Sequence, residues 1–436
     1  MNEIRMAVMN HPLLSVIVAG TVIRLVLAGF SQCYDVDYWA LAIRNMRAGE
    51  GLYGLEGYFY SPVWGYVLGL SSAVQSLFLD TGEISLRVPE FLFTENIPGF
   101  RLSATISSPA FNYLVKFPLI ISDIILTLLV YRLSERFLGK EKAARAAAMV
   151  FLCPIVIGVV SFNGMPDTIS AVFAVLTILL ILEDRPFMAG MTFSIAVWTK
   201  FFPAFMIFCL VSYLYTRYRG EFAGRLLRSV LGFGVMSLIV FLPMILDGDV
   251  MRAFQFISDR SSAPSNGNIL GLIEFSSRVL LYIGIFAGSV LLGYFLHKSG
   301  KEDLDRKLVV YCFGAALLCM LYPPAPQYLV LMMSFLAFMA ACDRKFVLPW
   351  AVLSVSAIVF LTPLNADMAL PVAVWTDFMS TDTLLSVFTA YQTRIGPLTL
   401  MELQYYAGGV IQYAGILLTA LALIRKRDKT AAGIPE

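Results

Sequence analysis

The sharpest chemistry in the sequence sits at Tyr34-Asp35-Val36-Asp37-Tyr38-Trp39, directly after an apolar run that ends at Phe30. Two carboxylates two positions apart can chelate a cation, orient sugar hydroxyls or act as a general base. Neighbouring carboxylates also raise one another's pKa, which suits proton abstraction. Tyr38 and Trp39 add flat faces on which a ring can stack. A solvated turn beside an interfacial aromatic belt gives the same pattern. The acidic pair therefore needs company.

Company follows in chain order. Gly51-Leu52-Tyr53 precedes Tyr58-Phe59-Tyr60-Ser61-Pro62, which opens an apolar stretch. Lys116 and Asp123 share one face of a helix, two turns apart in depth. Charges inside a spanning helix are expensive and usually functional; a structural ion pair is the plainer alternative. Asn163-Gly164-Met165-Pro166-Asp167 forms a tight turn whose aspartate either caps the next helix or faces the same surface as the acidic pair. Lys200, in Trp198-Thr199-Lys200-Phe201-Phe202-Pro203, is the lone cation of its turn. It can bind an anion such as a lipid phosphate, or simply snorkel. Arg252 and Arg260 lie in a loop at 247–277. Pro324-Ala325-Pro326-Gln327-Tyr328 brings an amide and a phenol to a helix start. Arg24, inside the first apolar run, is either a buried partner for an outer acid or a snorkelling residue.

The elements that must position these groups are membrane helices. Hydrophobic residues make up 58% of the chain and charged residues 14%, against about 25% charged in a soluble domain. The net charge of +2 gives no reason to expect a nucleic-acid partner. Six cysteines are scattered without CxxC or Cys/His pairing, so neither a disulfide framework nor a zinc site is expected. His11 and His297 sit at the ends of apolar runs and read as interfacial. The expected fold is an all-α polytopic membrane protein. Spans are expected over 12–30, 113–133, 146–161, 167–183, 188–199, 201–216, 229–246, 278–297, 307–322, 326–342, 346–363 and 404–424, about twelve in all. The first of these lacks a small-residue cleavage site and reads as a retained helix. The short pair around Lys200 should be a tight helical hairpin.

Charge sets the sidedness. Arg132, Arg136, Lys140, Arg217, Arg225, Lys298, Lys301, Arg344, Lys345 and Arg425 fall in one set of loops, and the alternate loops are acidic. By the positive-inside rule the basic set is cytoplasmic. Residues 62–79 are apolar enough to span, but a span there would move the basic loop after 132 outside. They therefore read as an interfacial helix, as do residues 38–48. The outer segment 31–112 becomes a structured platform, and the loops 247–277 and 364–403 also lie outside. Two units follow: a catalytic membrane module over 1–345, and C-terminal helices over 346–436. No internal repeat is visible, which weighs against an inverted-repeat transporter.

Taken in order, these motifs resemble the polyprenyl-phosphate-sugar-dependent glycosyltransferases of the C superfamily (GT-C). The likeness is greatest to the branch that holds the first mannosyltransferase of GPI-anchor synthesis and the polyprenyl-phosphate-mannose-dependent mannosyltransferases. The matching pieces are Asp35-Val36-Asp37, Tyr60-Ser61-Pro62, Lys116 with Asp123, Asn163-Gly164 to Asp167, Thr199-Lys200 with Pro203, and Pro326-Gln327-Tyr328. They cover residues 12–345, with little beyond. The segment 80–112 is longer than the family pattern, and loop 364–403 matches no motif.

The resemblance implies a bundle with two outer interfacial helices in its first loop. It implies a catalytic carboxylate at Asp35 or Asp37, and a donor phosphate met by Lys200 and, more weakly, Arg260. Substrate contacts fall to Tyr38, Tyr60, Lys116, Asp123, Asn163, Asp167, Gln327 and Tyr328. The donor is a sugar, expected to be mannose, on a polyprenyl or dolichyl phosphate, and the acceptor is a glycolipid or glycan. No cofactor is required; a divalent metal on Asp35 and Asp37 is compatible with the pair. The expected location is the cell membrane, or the endoplasmic reticulum membrane in a eukaryote, with an extracytoplasmic active site. The rival readings are a transporter or lipid flippase, a ligase using a lipid-diphosphate donor, and a noncatalytic assembly subunit.

Overall fold

The structure, a computed structural model, describes residues 12–33, 35–53, 58, 60–77, 86–87, 106–248, 250–252, 254, 269–321, 326–360 and 378–425. The chain enters through α1 (Pro12–Gly29), then forms two short helices, α2 (Asp35–Ala48) and α3 (Pro62–Gln75). An antiparallel pair, β1 (Leu86–Arg87) and β2 (Ile106–Ser107), precedes the long α4 (Pro109–Leu138). The bundle continues through α5 (Lys140–Phe151), α6 (Pro154–Phe162), α7 (Asp167–Leu182) and α8 (Pro186–Thr199). After a 3₁₀ turn at Phe202–Met206 come α9 (Ile207–Arg217), α10 (Phe222–Asp247), α11 (Ile269–Lys298) and α12 (Leu304–Cys319). The last helices are α13 (Leu329–Cys342), α14 (347–360), α15 (Thr381–Tyr391) and α16 (Leu400–Ile424), with a small hairpin, β3 (Arg394–Ile395) and β4 (Leu398–Thr399), before α16.

Among the described residues, four helices are long and apolar enough to cross a bilayer: α4, α10, the 279–298 part of α11, and α16. The chain is an integral, multi-pass membrane protein. Most of the expected spans coincide with observed helices. One differs: the run 146–161 is two helices, α5 and α6, bent by 44°. Pro154 supplies no N–H to continue the ladder, which explains the break. Near its end α6 widens into a π turn over Gly158–Phe162. The Lys200 hairpin forms as expected. α8 stops at Thr199, Lys200 is extended (φ −149°, ψ 137°), and the chain turns back through the 3₁₀ segment.

Helices α7 and α13 are buried along almost their whole length and form the centre of the bundle. Large apolar side chains face outward from α1 at Leu14, Val18, Val22 and Val26, one every turn, and from α10 at Leu227, Leu231, Leu238 and Ile245. Such a surface is stable only in a hydrocarbon surrounding. Helices α8 and α10 press together through glycines. A Cβ on Gly190 would strike the Ser229 carbonyl, and one on Gly232 would strike the Phe187 carbonyl. Small residues permit this backbone approach, the usual device where lipid supplies no hydrophobic drive.

At 14 residues each, α2 and α3 measure about 21 Å, short of the roughly 30 Å hydrocarbon layer. They pack on one another through buried Trp39, Ile43, Trp64 and Leu68, and Arg47 Nη2 donates to Ser72 Oγ at 2.6 Å.

Inside the bundle, Lys116 and Asp123 share one face of α4, as their spacing predicts, and that face meets α1. Their partners differ from the expected substrate contacts, because both turn to α1 and the link that follows it. Asp123 Oδ2 accepts from Arg24 Nε at 2.7 Å, with both side chains fully buried. The Arg24 guanidinium lies 3.9 Å from the Phe151 ring centroid and donates to Gly20 O. Arg24 is thus a buried partner, but of Asp123 inside α4 rather than of an outer acid. Lys116 donates to Ala28 O at 3.0 Å, to Ser31 O and to Ser31 Oγ.

Removing one member of a buried pair strands the other charge. Asp123→Leu should therefore lower stability by about 3–5 kcal/mol, read as denaturant unfolding of the purified protein in detergent. Arg24→Met with Asp123→Leu should recover most of that loss. A double variant no more stable than the single one contradicts this account of the pair.

Candidate active site

Several helix ends converge at one end of the bundle, and the site is built from them. Asp35 is the first residue of α2 and Asp167 the first of α7. Both carboxylates therefore stand at helix N-termini, where free N–H groups favour negative charge. Asp167 was open to a capping role, yet Pro166 occupies the cap position and no side-chain cap bond forms.

Asp35 Oδ1 accepts from the Tyr60 hydroxyl at 2.5 Å. Low exposure, and then the adjacent Asp35 charge, hold the Tyr60 phenol well above its ordinary pKa. It thus remains a proton donor to the carboxylate at any working pH. The Tyr60 ring also lies 5.0 Å from Lys200 Nζ, and the Tyr328 ring lies 5.5 Å from the same nitrogen. Both distances are within cation–π range. Lys200 Nζ is 3.5 Å from Asp167 Oδ2. A close charge-assisted bond would measure about 2.7–2.9 Å, so the ammonium is held near the acid without being committed to it. The order of contact is Asp35, Tyr60, Lys200, Asp167, with the Tyr328 ring also beside Lys200.

Backbone ties fix this order. Ser61 Oγ donates to Thr199 O at 2.8 Å, which sets the start of α3 against the end of α8. Trp39 Nε1 donates to Gly164 O at 3.1 Å, and Cys33 Sγ donates to Asn163 O at 2.8 Å. The Trp39 and Tyr60 rings meet edge to face at 4.6 Å. Tyr53 donates to Tyr60 O at 2.6 Å and Tyr58 to Ser61 O at 3.0 Å. Arg252 Nη1 in turn donates to Tyr53 O at 2.7 Å. The Phe202 ring packs on Tyr328 at 4.6 Å, so the 3₁₀ turn after Lys200 supports the second aromatic wall.

Of the expected site residues, Asp35, Tyr60, Asp167, Lys200 and Tyr328 come together. Tyr38 is half-buried against the same core, Asn163 is buried in the adjoining turn, and Gln327 shares the 3₁₀ turn with Tyr328. Lys116 and Asp123 lie beneath the site, turned to α1. The Asp37 side chain and Arg260 fall outside the described residues. Sequence reasoning missed Ser31 and Cys33, and placed Tyr53 and Tyr58 near the acidic pair without reading their bonds to the backbone at Tyr60 and Ser61. Their only signal was position, within a few residues of the acidic pair and of Tyr60. Among the described residues, no group of three or more His, Cys, Asp or Glu could hold a metal ion.

An apolar cavity of about 410 Å³ lies between α7, α8, α9 and α10. Its lining includes Trp198 and Phe201, which flank Lys200 in sequence, and Leu214 and Leu226, while Lys200 itself and the rest of the cluster do not line it. The arrangement offers an acidic group, a half-committed cation and aromatic walls, with an apolar cavity next to the turn that carries the cation.

Residues 102–246 match the family model described as dolichyl-phosphate-mannose-protein mannosyltransferase. That stretch is well under half of the chain. It contains Lys116, Asp123, Asn163, Asp167 and Lys200, and leaves Asp35, Tyr60 and Tyr328 outside. Among solved structures, the chain is similar to ArnT from Cupriavidus metallidurans bound to undecaprenyl phosphate. The identity is 12% and the TM-score 0.47, over 93% of this chain and 77% of that one. The apo state of the same protein gives 12% identity and a TM-score of 0.48, over 93% and 76%. The oligosaccharyltransferase of Archaeoglobus fulgidus in its apo form gives 12% and 0.43, over 93% of this chain and 56% of that one. A comparison with curated protein sequences finds no match. The family match bears out the resemblance read from the motifs at the level of the GT-C superfamily, the polyprenyl-phosphate-sugar-dependent glycosyltransferases to which this chain is similar; it does not reach the GPI mannosyltransferase branch.

Proposed function

We propose that this protein is a membrane glycosyltransferase that moves a sugar, mannose, from a polyprenyl or dolichyl phosphate to a hydroxyl of a glycolipid or glycan acceptor. The reaction runs on the extracytoplasmic face of the membrane. The observation that carries this reading is the Asp35–Tyr60–Lys200–Asp167 cluster beside the apolar cavity. A lipid-linked donor needs a cation at the end of an apolar channel. An acceptor hydroxyl needs a base on the opposite side of the anomeric carbon.

The lipid chain of the donor lies between α8, α9 and α10, with its phosphate toward Lys200. The acceptor enters from the side of α2 and α3. A carboxylate of the Asp35-Val36-Asp37 pair takes the hydroxyl proton as the oxygen attacks the anomeric carbon. The bond from that carbon to the phosphate oxygen breaks in the same displacement, and the configuration inverts. Lys200 stabilises the charge that grows on the leaving phosphate. Its 3.5 Å spacing from Asp167 lets it turn to that phosphate without losing its counter-charge. Tyr60 joins the two halves of the site, since its hydroxyl orients the base while its ring flanks the cation. The acceptor side falls to the outer loops, 364–403 among them.

The transporter reading is disfavoured by a specific observation. The intramembrane charges it would use are sealed into structure: Arg24 and Asp123 are fully buried on each other, and Lys116 is spent on carbonyls. A pathway needs such groups to face water.

The test is sugar transfer from a polyprenyl-phosphate donor in membranes. Replacing both Asp35 and Asp37 with Asn should lower turnover by about 10²–10⁴-fold, and undiminished transfer would sink the assignment. Lys200→Glu should weaken donor use, read as a raised apparent donor KM; an unchanged value counts against its phosphate role. Tyr60→Phe keeps the aromatic wall and removes the bond to Asp35. It should lower turnover by about tenfold or more with little change in donor KM. A variant that changes only KM contradicts the orienting role.

A further inference from the structure

Lys116 does not reach the site, yet its ammonium is fully buried and its three acceptors are neutral: Ala28 O, Ser31 O and Ser31 Oγ. An intramembrane ammonium is costly, so a lysine used merely to end a helix is an expensive choice. What it holds explains the choice. Residues 28–31 are the last turn of α1 and the start of the link to Asp35. Ser31 Oγ also donates to Leu27 O and lies 3.0 Å from Ser161 O. Two residues on, Cys33 Sγ donates to Asn163 O at 2.8 Å. The link 31–35 is therefore laced to the turn 161–167, which carries Asp167.

The aliphatic stem of Lys116 lies beside that second segment as well. Gly164 has a positive φ of +70°, and a Cβ there would sit 3.5 Å from Lys116 Cγ and Cε. One side chain thus bonds the first of the segments that bear the site's carboxylates and lies beside the second. Asn112, one turn earlier on α4, adds a bond from Nδ2 to Gly29 O at 3.4 Å.

We infer that Lys116 is a positioning residue that clamps the link 28–35 against the turn 161–167, and so sets the Asp35 carboxylate relative to Asp167 and Lys200. The inference rests on the transferase reading for its effect on turnover, but not for the clamp itself. Losing the ammonium frees the end of α1, lets Asp35 drift from Tyr60, and exposes the Cys33 thiol that now faces Asn163 O. The donor contacts at Lys200 and the apolar cavity lie on α7 to α10 and stay in place.

The experiment uses the full chain, purified and reconstituted in liposomes, with Lys116→Met, Lys116→Arg and Ser31→Ala. Two quantities are read: sugar transfer from a polyprenyl-phosphate donor, and alkylation of Cys33 mapped by peptide mass spectrometry. Lys116→Met should lower kcat by about a hundredfold, the scale of an ångström misplacement. Donor KM should stay within about twofold, the pattern of lost transition-state alignment rather than lost binding. Cys33 should alkylate faster. Lys116→Arg, which keeps a buried cation, should recover part of both. Should Lys116→Met fail to fold, Ser31→Ala removes one acceptor of the clamp and its link to Ser161, and should move both readouts in the same direction. Wild-type kcat with a protected Cys33 in the folded variants overturns the inference. If the wild-type protein transfers no sugar from this donor, the transferase reading fails; a Cys33 unmasked by Lys116→Met still upholds the clamp.

Discussion

In an apolar surrounding a helix can stop only where other groups take over the bonds of its next turn. That constraint shapes one end of this bundle more than any other feature. α1 stops at Gly29, and Lys116, Asn112 and Ser31 answer its carbonyls. The break after α6 is answered by Cys33 and Trp39, which donate to the carbonyls of Asn163 and Gly164, with Ser31 Oγ 3.0 Å from Ser161 O. α8 stops at Thr199, whose carbonyl accepts from Ser61. Each ending draws polar side chains to the same place, and each following segment begins with a group that can do chemistry: Asp35, Asp167 and Lys200. The site is what these interruptions leave exposed.

The same logic explains why α1 is held by charges. Its outward face is apolar at every turn, so packing against the bundle comes from the other face alone. The Arg24–Asp123 bond lies deep and the Lys116 contacts lie nearer the site, both anchored on α4. A buried ion pair is weak evidence for stability, because desolvation offsets its attraction. Its value here is register. A helix with a lipid-facing apolar surface can rotate or slide at small cost, and two polar anchors on one neighbour remove that freedom. Fixing α1 fixes the link to Asp35.

Much of this was legible in the sequence, for identifiable reasons. Apolar blocks of spanning length marked the helices, and the basic loops argued that 62–79 is not a span. Asp35, Tyr60, Asp167, Lys200 and Tyr328 stood out because each begins or ends an apolar run, which is where a site at the end of a helix bundle must draw its residues. What failed was partner choice. The spacing of Lys116 and Asp123 gave their common face on α4, but helical periodicity says nothing of what packs there. Arg24 lies 99 positions from Asp123 in sequence. The bond from Cys33 to Asn163 O spans 130 positions and has no local signature. The bend at Pro154 was written in the sequence and read through, because the apolar run continues across it.

The central claim is that an acidic pair, a lysine and a membrane channel cooperate in one displacement at an anomeric carbon. It is tested most directly by following labelled mannose from a polyprenyl-phosphate donor in liposomes that carry the purified protein and an acceptor glycan or glycolipid. The account predicts label in the acceptor, joined with the anomeric configuration opposite to that of the donor. Label joined with retained configuration, or carried across the bilayer still attached to its lipid, would contradict it.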